Sequence, residues 1–250
     1  YVHALKNAEN DPSVRVVIVK GAGSAFCAGY DAAGGNDALY NQKPDENSAP
    51  FIEDKKSLDK MWGATQAAWD LTKPVIAQVH GFCVAGGNDI AGQCDIVIAA
   101  ENAIIQQPQI RRLGLSFNHM YPYKCGPQWS KILLLTGDPV NGREAERLGL
   151  VAMAVSEDEL ESQVLKLAER LALIDPTMMA TNKLAVNRAY EAMGLNEARN
   201  NANTLDTIAH VSPAMNKFVE TALKSGFKAA LSENETPFKN SERPFRVPYK

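Results

Sequence analysis

No apolar run in the sequence reaches 18 residues. Gly, Asp or Gln interrupts each long one well before that, so no membrane-spanning helix is expected. Cysteine is scarce, with four in 250 residues (Cys27, Cys83, Cys94 and Cys125). That is no disulfide framework for a chain of this size, and it suits a reducing compartment. Neither sign of charge dominates: 26 Lys and Arg stand against 29 Asp and Glu, a formal net charge of −3. Nothing in that balance draws the whole chain to nucleic acid or to an anionic membrane. Phosphate-binding signatures are missing too. There is no G-x-x-x-x-G-K-[ST], and the Gly21-Ala22-Gly23 turn fails the dinucleotide fingerprint because Phe26 stands where its third Gly belongs. His3, His80, His119 and His210 form no i,i+4 pairs among themselves and sit in no Cys cluster, so no metal site is expected. No signal peptide opens the chain. Tyr1, Val2, Ala4, Leu5 and Ala8 follow a helix-like rhythm from the first residue, as if the chain began inside a helix. A cytoplasmic protein is the expectation, with an organellar leader upstream left open.

What is present is a packed globular chain, with 45% hydrophobic and 22% charged residues, which excludes disorder. Residues 14–19 (VRVVIV), 75–79 (VIAQV) and 95–100 (DIVIAA) read as buried strands, and 151–155 as a short one. Helices are expected over 51–71, 88–93, 128–135 and 142–148. From Glu157 to about Leu231 the pattern is helical, followed by an extended tail. Residues 34–50 and 104–129 read as irregular. Strand, turn, helix and strand repeat, which implies an α/β fold.

Two turns stand out, Ala25-Phe26-Cys27-Ala28-Gly29-Tyr30-Asp31 and His80-Gly81-Phe82-Cys83-Val84-Ala85-Gly86-Gly87-Asn88-Asp89. Each follows a buried strand and places small residues where the chain leaves the sheet. Turns of that kind let a ligand approach backbone N–H groups. The second also opens a helix, whose first N–H groups are unpaired and carry the positive end of its dipole. Two such amides aimed at one point form an oxyanion hole. The competing reading is two tight turns that need Gly for backbone reasons alone. Cys27 suits a small core cysteine better than a thiol nucleophile, since nothing in the sequence orients it.

The ordered blocks GAGSAFCAGYD, KPVIAQVHGFCVAGGNDIAGQCDIVIAA, QPQIRRLGL and LLLTGDPVNGREAERLGLV resemble the crotonase superfamily of enoyl-CoA hydratases and isomerases. The resemblance runs in motif order over residues 1 to about 155 and in helix pattern beyond. It implies a spiral of ββα units over 1–155, carrying the site, and a helical oligomerisation region over 156–250. It also implies assembly as a homotrimer or a dimer of trimers. The substrate would be an acyl-CoA, with no cofactor other than the coenzyme A it carries. Neither nucleic acid nor membrane would be a partner.

By position, the family's oxyanion amides fall on Tyr30 and Gly86. Cys27, Ala28, Gly29, Asp31, Ala85 and Gly87 would line the acyl-CoA cleft. The first of the family's two glutamates falls on Asp89, one methylene shorter. The second falls on Gln109, within Gln107-Pro108-Gln109-Ile110, and an amide cannot exchange a proton at neutral pH. Gln109 could still position water or a carbonyl. His119 is the expected replacement, because it titrates near neutrality. Asn118 lies about where some family isomerases carry a further acid, and Tyr121 could donate a hydrogen bond; the alternative is a polar loop at a subunit contact. For Asp89 the alternative is a capping or solvated carboxylate. Leu58, Trp62 and Trp69 read as core or acyl-pocket wall, and Phe227, Lys228 and Phe238 as candidates near the coenzyme A end. The expected activity is water addition or a double-bond shift through a thioester enolate. The alternatives are a CoA-thioester or β-diketone hydrolase on the same fold, or a non-catalytic acyl-CoA-binding homologue.

Overall fold

The computed structural model describes residues 1–30, 50–115, 120–243 and 245–247 of the chain. Helix α1 (Val2–Asn10) leads to β1 (Val17–Lys20), and α2 (Pro50–Gln66) leads to β2 (Val75–Val79). Then come β3 (Phe82–Val84), α3 (Gly86–Gln93), β4 (Ile96–Ala100) and β5 (Ile104–Gln106). Helix α4 (Tyr121–Thr136) precedes β6 (Val140–Asn141), α5 (Gly142–Leu148) and β7 (Met153–Val155). Five helices follow: α6 (Glu157–Ala172), α7 (Pro176–Ala192), α8 (Leu195–His210), α9 (Pro213–Ser225) and α10 (Phe227–Lys239).

The strands form two sheets. One is all parallel, in the order β1-β2-β4-β7; the other runs β3-β5-β6. The register aligns Val17 with Val75 and Ile76 with Ile96 in the first sheet, and Cys83 with Ile105 in the second. Cys27 bridges Cys83 in parallel, so the stretch after β1 joins the second sheet as well. The chain thus makes one move three times, a strand in the first sheet followed by a short extended piece in the second, and this is the ββα spiral. Strand β2 lies inside the parallel sheet, with α6 packed across it and β4. Covered strands of this kind need no polar face, and Val75, Ile76, Ala77 and Val79 are fully buried. Each large apolar side chain so buried contributes about 1.5–3 kcal/mol.

Several boundaries differ from the sequence expectation. The turn over 81–87 contains β3, because Cys83 has pairing partners on both sides, Cys27 and Ile105. The stretch over 104–129 is not irregular: β5 opens it, and α4 starts at Tyr121. Pro122 fits the first turn of that helix, while Gly126 (φ 71°, ψ 174°) and Pro127 kink it and hide its periodicity. The first strand lies at 17–20, and the helix expected to reach 71 ends at 66. The tail is helical as far as Lys239, with Pro237 inside its last turn. Among the described residues no helix is long and apolar enough to cross a membrane.

Candidate active site

The ends of the second sheet and the C-terminal helices enclose a cavity of about 420 Å³. Its strand-side wall is laced together by backbone hydrogen bonds. Phe26 N–H donates to His80 O at 2.8 Å, Cys27 N–H to Phe82 O at 2.9 Å and Val84 N–H to Cys27 O at 3.0 Å. Ala85 N–H donates to Gln106 O at 3.0 Å. The two turns singled out in the sequence are therefore neighbours, and Ala28, Gly29, Tyr30, Val84 and Ala85 line the cavity.

Two backbone features fix this corner. Gly29 has φ +110°, and a Cβ there would lie 3.1 Å from the Cβ of Ala85. Ala85 itself has φ 51° and ψ −123°, a conformation sparsely allowed to any residue with a side chain. It turns the peptide that follows, so that Gly86 enters α3 as its first residue. The Tyr30 ring lies across Gly86, and a Cβ on Gly86 would be 2.8 Å from Tyr30 Cε2. Among the described residues, no acceptor takes the backbone N–H of Tyr30 or of Gly86.

Asp89, one turn into α3, lines the cavity but is only 2% exposed. Gln107 Nε2 donates to its Oδ1 at 2.5 Å. Burial pushes the carboxyl well above the usual carboxylate range; the Gln107 hydrogen bond opposes this and the charge of Asp206 adds to it. Burial thus favours the protonated form of Asp89, the form that can donate a proton. Gln109 lines the same space, and its Oε1 is buried with no hydrogen-bond partner among the described residues.

The helical wall brings Leu58 and Trp62 from α2, Asp206 and His210 from α8, and Phe227, Leu231 and Asn234 from α10. Arg111 closes one side. It pairs with Asp138 and Glu235, each at 2.6 Å, beneath the Phe238 ring at 3.9 Å.

Ala28, Gly29, Tyr30, Ala85, Asp89 and Gln109, all singled out in the sequence, line this one cavity. Cys27 and Gly87 stand behind the wall: a Cβ on Gly87 would lie 2.3 Å from Cys27 O. Tyr121 is elsewhere. Its hydroxyl is buried, accepts a bond from Asn88 Nδ2 at 2.7 Å and faces the core on the other side of α3. Trp69 packs with Met120 and Leu195, away from the cavity, and Glu233 pairs with Arg112 and Lys217 on the surface. Asp31, Asn118 and His119 lie outside the described residues. Sequence reasoning missed Asp206, His210 and Asn234. The i,i+4 spacing of Asp206 and His210, which puts both on one helix face, was the available signal. Among the described residues no cluster of three or more His, Cys, Asp or Glu could hold a metal ion.

A parallel spiral closed by helices, with a cavity at the ends of its second sheet, defines the class of fold. Comparison with known proteins gives the family: residues 1–229 match enoyl-CoA hydratase/isomerase, and the chain belongs to it. A Mycobacterium tuberculosis protein provisionally named enoyl-CoA hydratase EchA13 is 34% identical over 223 residues, covering 83% of this chain and 69% of that protein. A crotonyl-CoA hydratase of Syntrophomonas wolfei is 32% identical, over 75% of this chain and 70% of its own. The crystal structure of an enoyl-CoA hydratase from Mycobacterium smegmatis superposes with a TM-score of 0.86 at 32% identity, covering 96% of this chain and 84% of that one.

Proposed function

We propose that the protein acts on an acyl-CoA, stabilising a thioester enolate during addition of water to a 2-enoyl-CoA or a shift of its double bond. The observation that carries this reading is the pair of backbone N–H groups at Tyr30 and Gly86, which no acceptor takes among the described residues, next to a carboxyl that burial pushes towards its protonated form. In the proposal the thioester oxygen sits against those two donors, and each is worth about 3–4 kcal/mol as negative charge builds up. Asp89 gives a proton to the carbon chain. Gln109 Oε1, which has no hydrogen-bond partner among the described residues, accepts a hydrogen bond from the attacking water and so positions it. Coenzyme A enters as part of the substrate.

Homo-oligomerisation through the helical region belongs to the same reading. It is supported by apolar side chains left open on α6 and α7 and just between them, including Leu173 at 83% exposed and Met178 at 62%. The same reading divides the chain into a spiral core over 1–155 and a helical region over 156–250 whose helices share the site.

The test is direct. The purified protein is given crotonyl-CoA and a 3-enoyl-CoA, and absorbance is followed at the conjugated thioester band. Turnover of one of them is expected, and Asp89→Asn should reduce it at least about 100-fold. No turnover of either substrate at high enzyme would remove the reading, and an unchanged Asp89→Asn would remove the role given to Asp89.

A further inference from the structure

Two-step proton chemistry at this site needs a second titratable group, and Gln109 cannot be one. The helical wall holds a candidate. Asp206 and His210 both line the cavity from α8. His210 Nδ1 lies 2.9 Å from Asp54 Oδ2 of α2, and its Nε2 lies 3.5 Å from Asp206 Oδ1. Asp206 Oδ1 also accepts the Leu115 N–H at 2.7 Å. Its Oδ2 makes no hydrogen bond among the described residues. Gly114 leaves room for this packing, since a Cβ there would lie 2.7 Å from Asp206 Oδ1 and 3.0 Å from His210 Nε2. Three segments thus fix one carboxyl.

A structural ion pair is the plain alternative, but buried charges are poor stabilisers compared with apolar packing. The cavity also shows unmet polar capacity. Asn234 is 3% exposed, lines the cavity, and its Nδ2 has no partner among the described residues; the same is true of Gln109 Oε1. Buried groups of this kind are rare without a ligand or water to meet them.

We propose that Asp206, oriented by His210 and through it by Asp54, is the second proton-transferring carboxylate of the cavity. The inference rests on the acyl-CoA reading. In hydration, the Asp206 carboxylate takes a proton from water as the water oxygen bonds to Cβ of the enoyl group. The Cα–Cβ π electrons move into the enolate, whose Cα then takes the Asp89 proton. The product is a 3-hydroxyacyl thioester. Asp206 ends protonated and Asp89 ionised, and the proton returns from one to the other through water before the next turnover. Asp206 is catalytic here; His210 and Asp54 are positioning residues.

The electrostatics agree with this division. Burial acts against the His210 charge, but the Asp54 hydrogen bond and the charges of Asp206 and Asp54 outweigh it and hold the imidazole above its ordinary value. Burial pushes the Asp206 carboxyl up; the His210 charge and the Leu115 N–H counter that, and the Asp54 charge reinforces it. The groups facing this centre are Asp54 on α2, Asp206 on α8 and, across the cavity, Asp89 on α3 and the Tyr30 hydroxyl, which burial and the charges of Asp89 and Asp206 push up. Glu235 on α10 is engaged with Arg111.

The test compares crotonyl-CoA hydration by the full chain and by Asp206→Asn, Asp206→Glu and His210→Asn, from about pH 5 to about pH 9. Asp206→Asn should lower kcat at least about 100-fold with KM within about threefold, and Asp206→Glu should recover part of the loss. His210→Asn removes the charge that lowers the Asp206 carboxyl, so the acidic limb of the rate profile should move to higher pH. Asp206→Asn with an unchanged kcat, or with a change in KM alone, would overturn the proposal. If thermal melting shows Asp206→Asn unfolded, the His210→Asn profile decides, and an unmoved limb overturns the proposal. A wild type inert towards crotonyl-CoA and 3-enoyl-CoA alike removes the acyl-CoA reading and this proposal with it.

Discussion

Asp89→Asn tests whether this carboxyl holds its proton when the chain is folded. In the unfolded chain the group titrates at the usual value of 3.8, and in the folded chain well above it. Between those two values the folded state binds more protons than the unfolded state. Stability therefore falls as pH rises through that window, and is fully present below it. The slope approaches about 1.4 kcal/mol per pH unit. An amide at position 89 carries no charge in either state, so that slope disappears. Its oxygen can still accept the Gln107 Nε2 hydrogen bond, now 2.5 Å long, so little else is lost. Near pH 4 the two proteins should differ by less than about 1 kcal/mol. Above that, Asp89→Asn should gain on the wild type with each pH unit. Urea unfolding at several pH values from about 4 to about 8 measures the difference. Asp95 and Asp206, also raised, titrate in both proteins and largely cancel. A difference that stays flat across the series would mean that Asp89 ionises normally, and the reading of Asp89 as an acid would fall. The expected combination of higher stability and lower turnover is what a strained functional group produces.

Two further predictions concern the corner that aims the Gly86 amide. Ala85→Gly should raise stability by roughly 1 kcal/mol, because relief of about 1–3 kcal/mol of backbone strain exceeds the 0.5–1 kcal/mol entropic cost of glycine; a lowered melting temperature would show that no strain is stored there. Gly87→Ala should cost at least about 1–3 kcal/mol, since the new Cβ would lie 2.3 Å from the Cys27 carbonyl oxygen and backbone would have to move. Faster amide exchange at Val84, whose N–H bonds Cys27 O, is the local readout, and an unshifted melting curve would contradict the packing described.

The spiral was legible in the sequence because its strands are covered. The run at 75–79, apolar except for Gln78, reads as a strand inside a parallel layer. The small residues at 28–29 and 85–87 were legible for a similar reason, since close approach of two backbones excludes side chains. Strand β3 was not, because three residues give no period, and only pairing with Cys27 and Ile105 makes them a strand. Helix α4 was hidden by the very residues that kink it, Gly126 and Pro127. The helical wall of the cavity was the largest omission. Asp54, Asp206 and Asn234 come from three helices far apart in the chain, and each reads alone as a polar position on an amphipathic helix. Only long-range packing makes them one surface.

That origin suggests a division of labour between the two halves of the site. The spiral side offers mainly backbone N–H groups and small residues, because bulk at the strand ends would block the approach that the amides require. Its hydrogen-bonded lacing fixes Tyr30 and Gly86 to neighbouring strands, so their geometry tolerates little change. The helical side has no such constraint. A residue on α2, α8 or α10 can change without disturbing a ladder, and those helices carry Asp54, Asp206, His210 and Asn234 to the cavity or its edge. Proton chemistry can therefore shift from one wall to the other while the oxyanion geometry stays in place. Gln109 on the spiral side, whose Oε1 has no partner among the described residues, and Asp206 on the helical side, fixed by the Leu115 N–H, are what such a shift would leave behind. On this argument a base at Asp206 would do the work that Gln109 cannot, and the oxyanion geometry proposed for the spiral side would not have to change.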